Sequence, residues 1–153
     1  MKLLNKLILP VLICVSTIAG AQQKLGLNAV RTYDVTPADY GLVFDTIRVT
    51  TDDDASLFGW HLYPGEKNDK SSKKSVIISH DGNINMANSL EQAGKFLGLG
   101  YHVFMYDYRG FGKSSDFNVS PKFFIYQQFA SDLTGMIEYV KKSILCFFFS
   151  WQK

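Results

Sequence analysis

Tyr106-Asp107-Tyr108-Arg109-Gly110-Phe111-Gly112-Lys113-Ser114 decides how this chain is read. The apolar segment Tyr101 to Met105 runs straight into it, so the pattern is a strand that stops in a glycine turn with charged residues at its tip. Two glycines permit a tight reversal, and the Arg109 guanidinium can offer several donors to nearby carbonyls or carboxylates. Asp107, Arg109, Gly110, Gly112 and Ser114 are therefore expected to form a structural corner. Gly112-Lys113-Ser114 has the closing residues of a phosphate-binding loop. That motif also needs a glycine five residues before its Gly-Lys pair, where this chain has Asp107, so nucleotide binding is excluded.

Upstream, Ser75-Val76-Ile77-Ile78-Ser79 is a β-branched run of the kind that fits a strand buried on both faces, as in a parallel sheet. Leu90, Ala93, Phe96 and Leu97 then recur at helical spacing, and Gly100 follows where a helix end favours glycine. With the strand at Tyr101 to Tyr106 this makes a βαβ unit. Farther upstream, Phe44, Ile47 and Val49 mark one short strand and Leu57 to Tyr63 another. The turn between them holds Asp52-Asp53-Asp54 and reads as a polar, solvated hairpin turn rather than a calcium site, since calcium takes oxygen ligands from several places. Downstream of the corner, Ser120-Pro121 can start a helix, with Tyr126, Phe129, Leu133, Met136, Ile137 and Val140 as its apolar stripe.

Thr36-Pro37 with Gly41, Gly59-Trp60, His80 and the Asp107 to Ser114 loop occur in an order that resembles the α/β-hydrolases. More narrowly it is similar to the serine-aminopeptidase-like and Bem46-like members, over roughly residues 36 to 141. The resemblance implies an α/β class and the N-terminal part of an α/β-hydrolase fold: a β-hairpin, then βαβ with central parallel strands, stopping before the nucleophile elbow. It implies hydrolysis of ester or amide acyl bonds by a Ser-His-Asp triad, with no cofactor and no metal, on a small-molecule or peptide acyl substrate. In that family the segment at His80, Asp81, Gly82 and Asn83 contributes to the oxyanion hole, where a backbone N–H meets the oxygen that gains charge. Asp81 stands where glycine is usual, and a carboxylate there opposes such stabilisation unless it points away. His80 and Gly82 serve equally well as turn formers, so both readings stay open. The nucleophile motif Gly-x-Ser-x-Gly occurs nowhere in the chain, so no catalytic residue is identifiable. Ser114 and Ser115 lie on the wrong loop, and His61 and His102 read as strand positions at the sheet surface. The expectation is an exported hydrolase-family chain, itself inactive. The alternative is a non-catalytic exported binding or scaffold domain on the same fold.

Composition agrees with one globular domain: 153 residues, 46% hydrophobic and 20% charged. Lys2 and Lys6, an uncharged apolar run from Leu7 to Ala19 and Ala19-Gly20-Ala21 have the layout of a signal peptide over 1–21. The run is well short of the roughly 20 apolar residues of a stable span, so export to the periplasm or medium, without a stable membrane span, is expected. Lipoprotein anchoring is the lesser alternative, because Ile13 rather than a small residue precedes Cys14. The formal charge of +2 comes from 16 basic and 14 acidic residues, and removing Lys2 and Lys6 balances them. A near-neutral mature chain argues against nucleic acid as a partner. Only Cys146 would remain, so no internal disulfide is expected. The organisation expected is thus a lead-in segment at 22–41, a partial hydrolase domain at 42–141 and an atypical tail at 142–153. Within the tail, Ile144 to Phe149 is open to two accounts, a short strand or an out-of-frame end.

Overall fold

The structure, a computed structural model, describes residues 29–66, 72, 74–117 and 125–149, the stretch from 144 onward by its backbone alone. The expected leader, the start of the lead-in segment and the Ser120-Pro121 helix start lie outside the described residues.

β1 (Phe44–Thr50) and β2 (Ser56–Leu62) form the expected hairpin, in register from Phe44 opposite Leu62 to Thr50 opposite Ser56. Its turn closes on itself, with Thr51 N–H donating to the Ala55 carbonyl at 2.9 Å and Ala55 N–H donating to Thr51 Oγ1 at 3.0 Å. Asp54 takes φ +63, a region that aspartate enters more readily than most side chains. The turn is not simply solvated, as its composition suggests: Thr51 and Ala55 are buried, and Asp53 reaches back to Arg109. Composition reports polarity but not the distant cation that draws this carboxylate inward.

β3 (Ser75–Ser79) and β4 (His102–Tyr106) run parallel and are joined by a 3-10 turn, Met86–Ser89, and helix α1 (Leu90–Gly98). The sheet order is β1-β2-β4-β3, with β4 antiparallel to β2. α1 is nine residues long, below the roughly 12–15 residues at which an isolated helix becomes even marginal in water. Tertiary burial holds it: Leu90, Ala93 and Leu97 pack on Phe58, Trp60, Leu62, Ile78, Val103 and Met105. Strand residues alternate between faces, so Leu57, Phe104 and Tyr106 point the other way, where Met136 and Val140 of α2 (Ile125–Phe149) cover them. The chain is therefore a mixed sheet between two helical layers. No helix of the described residues is long and apolar enough to cross a membrane.

Three sequence-based expectations, and one of the two accounts left open for the tail, are corrected here. The β3 run reads as buried on both faces, but of its apolar residues only Ile78 is buried, β3 being the outermost strand among the described residues. His61 is not at the sheet surface; it is buried, stacked on Phe104 and 3.2 Å from His102. The ridge of α2 that is buried is Gln128, Asp132, Met136 and Val140, while Tyr126 of the expected stripe is 84% exposed. A polar partner, Arg109, pulls Asp132 inward and rotates the helix away from its most apolar face. The tail is not a strand: the backbone stays helical through Phe149. A short apolar run has no period that separates strand from helix, and no glycine or proline stops this one.

Candidate functional site

At the end of β4 the Asp107 N–H continues the ladder to the Phe58 carbonyl at 2.9 Å, and the chain then turns through Gly110 (φ +88) and Gly112 (φ +46). Gly112 is required by space as well as by φ, because a Cβ there would overlap the Asp107 carboxylate and the Tyr33 hydroxyl. Asp107 is fully buried; one of its oxygens accepts the Met86 N–H at 2.7 Å and the other accepts the Tyr33 hydroxyl. The carboxylate thus ties the strand end to the start of the α1 crossover and to the lead-in segment.

Ser114 is buried, its hydroxyl donating to the Asp107 carbonyl at 2.7 Å and accepting the Phe58 N–H at 2.8 Å. An oxygen so engaged is a strut between β2 and β4, not a nucleophile poised for attack. Arg109 is fully buried and forks between two carboxylates. Nε and Nη2 donate to Asp132 Oδ1 at 2.8 and 2.6 Å, and Nη1 and Nη2 donate to Asp53 at 2.5 and 2.8 Å. Its own N–H donates to the other Asp132 oxygen at 3.0 Å. The hydrogen bonds from Arg109 hold the Asp53 carboxyl well below the usual carboxylate range.

His80 follows β3 and is buried. Burial pushes its imidazole down to about 4 and the Asp107 carboxyl up to about 6. The two stand 4.0 Å apart. Two backbone amides face the ring, Gly82 N–H at Nδ1 (3.1 Å) and Tyr108 N–H at Nε2 (3.3 Å). A neutral imidazole has one lone pair for them and an imidazolium has none, so protonation would lose the contact. Asp81 is exposed and folds back on its own turn, accepting Asn83 N–H at 3.0 Å and the Asn83 side-chain amide at 3.1 Å. The amides of Gly82 and Asn83 are thus engaged within the His80–Asn83 turn. A cleft of about 350 Å³ opens beside it, between Ser79 and Asp81 on one side and Asn88, Glu91 and Gln92 of the crossover on the other.

The structure therefore brings His80, Asp107 and the corner together, and leaves His61 and His102 at the opposite end of β4. Among the described residues no cluster of three or more His, Cys, Asp and Glu side chains is placed to hold a metal ion. Four partners of the corner carry no sign in the sequence that ties them to it: Arg31, Tyr33, Asp53 and Asp132. Arg31 Nη1 donates to the Ser114 carbonyl at 2.6 Å, yet these residues lie tens of positions from the loop with no spacing that singles them out.

No family model and no curated protein matches the chain. Solved structures do. An esterase of Pyrococcus furiosus superposes with a TM-score of 0.60 at 24% identity, over 76% of this chain and 42% of that one. An esterase of Exiguobacterium antarcticum gives 0.51 at 23% identity, over 63% of this chain and 32% of that one. An α/β hydrolase of a Penicillium species gives 0.50 at 24% identity, over 65% and 32%. The chain thus carries part of an α/β-hydrolase fold and spans about two fifths of the length of the Pyrococcus esterase.

Proposed function

We propose that this chain is the strand-and-corner frame of an exported acyl hydrolase, an enzyme class that cleaves esters or amides, and that it is inactive by itself. The corner carries the proposal: Asp107, Arg109 and Ser114 are all buried and spent on holding β2, β4, the hairpin turn and α2 together. A frame of this kind supports a reaction without entering it. The esterase neighbours favour acyl substrates, and the narrower kinship to serine-aminopeptidase-like or Bem46-like proteins rests on the motif order from Thr36 to Ser114. Among the described residues no nucleophile–base pair is assembled around His80, whose ring faces backbone amides.

A second reading is favoured by one observation. Gly82 and Asn83 direct their amides at His80 and Asp81, which leaves those donors unavailable to an oxyanion and suits a binding or scaffold domain. Two measurements divide the readings. The purified chain should give no turnover of p-nitrophenyl esters above the uncatalysed rate, and turnover abolished by replacing one serine would overturn inactivity. Reading the genomic frames that follow the Lys153 codon should reveal Gly-x-Ser-x-Gly on a strand-to-helix pattern. A continuing α/β pattern with another residue at that turn would favour the scaffold instead.

A further inference from the structure

His61 and His102 lie 41 positions apart in the chain, and the sheet brings them together. His61 of β2 stands opposite Phe104 of β4. Strand residues two apart share a face, so His102 lies on the same face as Phe104 and His61. There His61 Nε2 and His102 Nδ1 confront each other at 3.2 Å. The rings are held from several sides. The His61 imidazole stacks on Phe104, with centroids 4.1 Å and planes 11° apart, and its centroid is 4.2 Å from that of Tyr63. Tyr63 also meets the His102 ring edge-on at 5.6 Å, and its hydroxyl donates to Asp45 Oδ2 at 2.8 Å. Asp45 is itself opposite His61 on β1. His61 and Tyr63 are buried and His102 is half-buried, so the pair meets solvent at its His102 end. β1, β2 and β4 are consecutive neighbours in the sheet, so the strands that build this cluster are already paired with one another.

We propose that His61 and His102 are the two protein ligands of a zinc ion that clasps β2 to β4, with water filling its remaining positions. Zinc holds histidine nitrogens at about 2.0–2.1 Å in a tetrahedral array, which sets two of them about 3.3–3.4 Å apart. The 3.2 Å between the facing nitrogens is close to that spacing, so little movement admits the ion. Ligands at right angles, as on a square-planar or octahedral ion, would be drawn to about 2.8–3.0 Å at the same bond lengths, a poorer fit. Zinc requires neutral imidazoles. Without the ion, one ring donates its N–H to the lone pair of the other. With it, that proton moves to the other nitrogen of the donor ring, and both facing lone pairs go to the metal. Phe104 and Tyr63 fix the ring orientations in advance, as the outer partners of a metal ligand do. The site lies at the far end of β4 from the glycine corner, so it steadies the sheet and takes no part in acyl chemistry.

Zinc chloride titrated into the purified full chain, followed by calorimetry and by the imidazole nitrogen resonances, tests this. Uptake of one ion per chain is expected. The His61 Nε2 and His102 Nδ1 resonances should move together, while His80, the third histidine of the chain, keeps its own. His61→Gln and His102→Asn each leave a polar atom near the lost ligand nitrogen. Both should weaken zinc binding at least about tenfold, a loss that even an outer partner of a metal ligand can cause. His102 is half-buried, so His102→Asn should melt close to the native chain without zinc, and the rise in Tm that zinc gives the native chain should vanish in it. Should His61→Gln fail to fold, His102→Asn decides by itself. Absence of saturable uptake by the native chain would overturn the proposal, as would uptake that survives His102→Asn undiminished or that shifts the His80 resonances in place of the pair.

Discussion

At His80 and Asp107, burial moves two titratable groups in opposite directions, to about 4 and about 6. The folded Asp107 holds a proton that the unfolded chain has lost between its ordinary 3.8 and about 6, so its contribution to stability falls as pH rises through that window. Folded His80 resists a proton that the unfolded chain accepts between about 4 and the ordinary 6.5, so its contribution rises with pH over nearly the same range. The slopes oppose each other. Asp107→Asn removes the first, and its urea midpoint should climb more steeply between pH 4 and pH 6.5 than that of the native chain; an unchanged or shallower slope would refute the assignment. Sterics at the corner are equally local. Gly112→Ala combines a left-handed φ with overlap at Asp107 and Tyr33 and should cost at least about 2 kcal/mol by chemical denaturation. Gly41→Ala, at φ +63 with open space around it, should cost only about 1 kcal/mol, and equal losses would show that space plays no part.

Among the elements, the α1 helix and its exit separate propensity from conformation. Gly94 lies on the exposed face of α1 with open space where a Cβ would stand, so Gly94→Ala should raise stability by about 0.5–1 kcal/mol. Gly100 ends the helix at φ +79, its N–H donating to the Leu97 carbonyl at 2.9 Å; Gly100→Ala should lower stability by about 1 kcal/mol. Thermal melts of the two variants should therefore shift in opposite directions, and a shift of the same sign in both would contradict the helix end as described. α1 was legible because Leu90, Ala93 and Leu97 repeat at helical spacing and also form the buried face. α2 was legible as a helix but not in its rotation, since Asp132 occupies its centre line and Tyr126 stands in solvent.

For the whole molecule, Arg109 is the joint between three distant segments: the β1–β2 turn through Asp53, the loop after β4, and α2 through Asp132. Arg109→Met would leave Asp132 buried without its cation and should cost about 3–5 kcal/mol. Amide exchange should quicken along α2 and in the 51–55 turn together. Asp53→Asn should cost less, because the Asp53 side chain is 43% exposed and water can replace part of its partner; a larger loss in Asp53→Asn than in Arg109→Met would undo this account. The sequence by itself determined the hairpin, the βαβ unit and the glycine corner, because period, turn residues and glycine placement act over a few neighbouring positions. Only the tertiary structure decided that Arg31, Tyr33, Asp53 and Asp132 converge on that corner, and that His61 is buried. Those outcomes depend on contacts between segments far apart in the chain, and charge pairing and burial at such distances leave no local pattern to read.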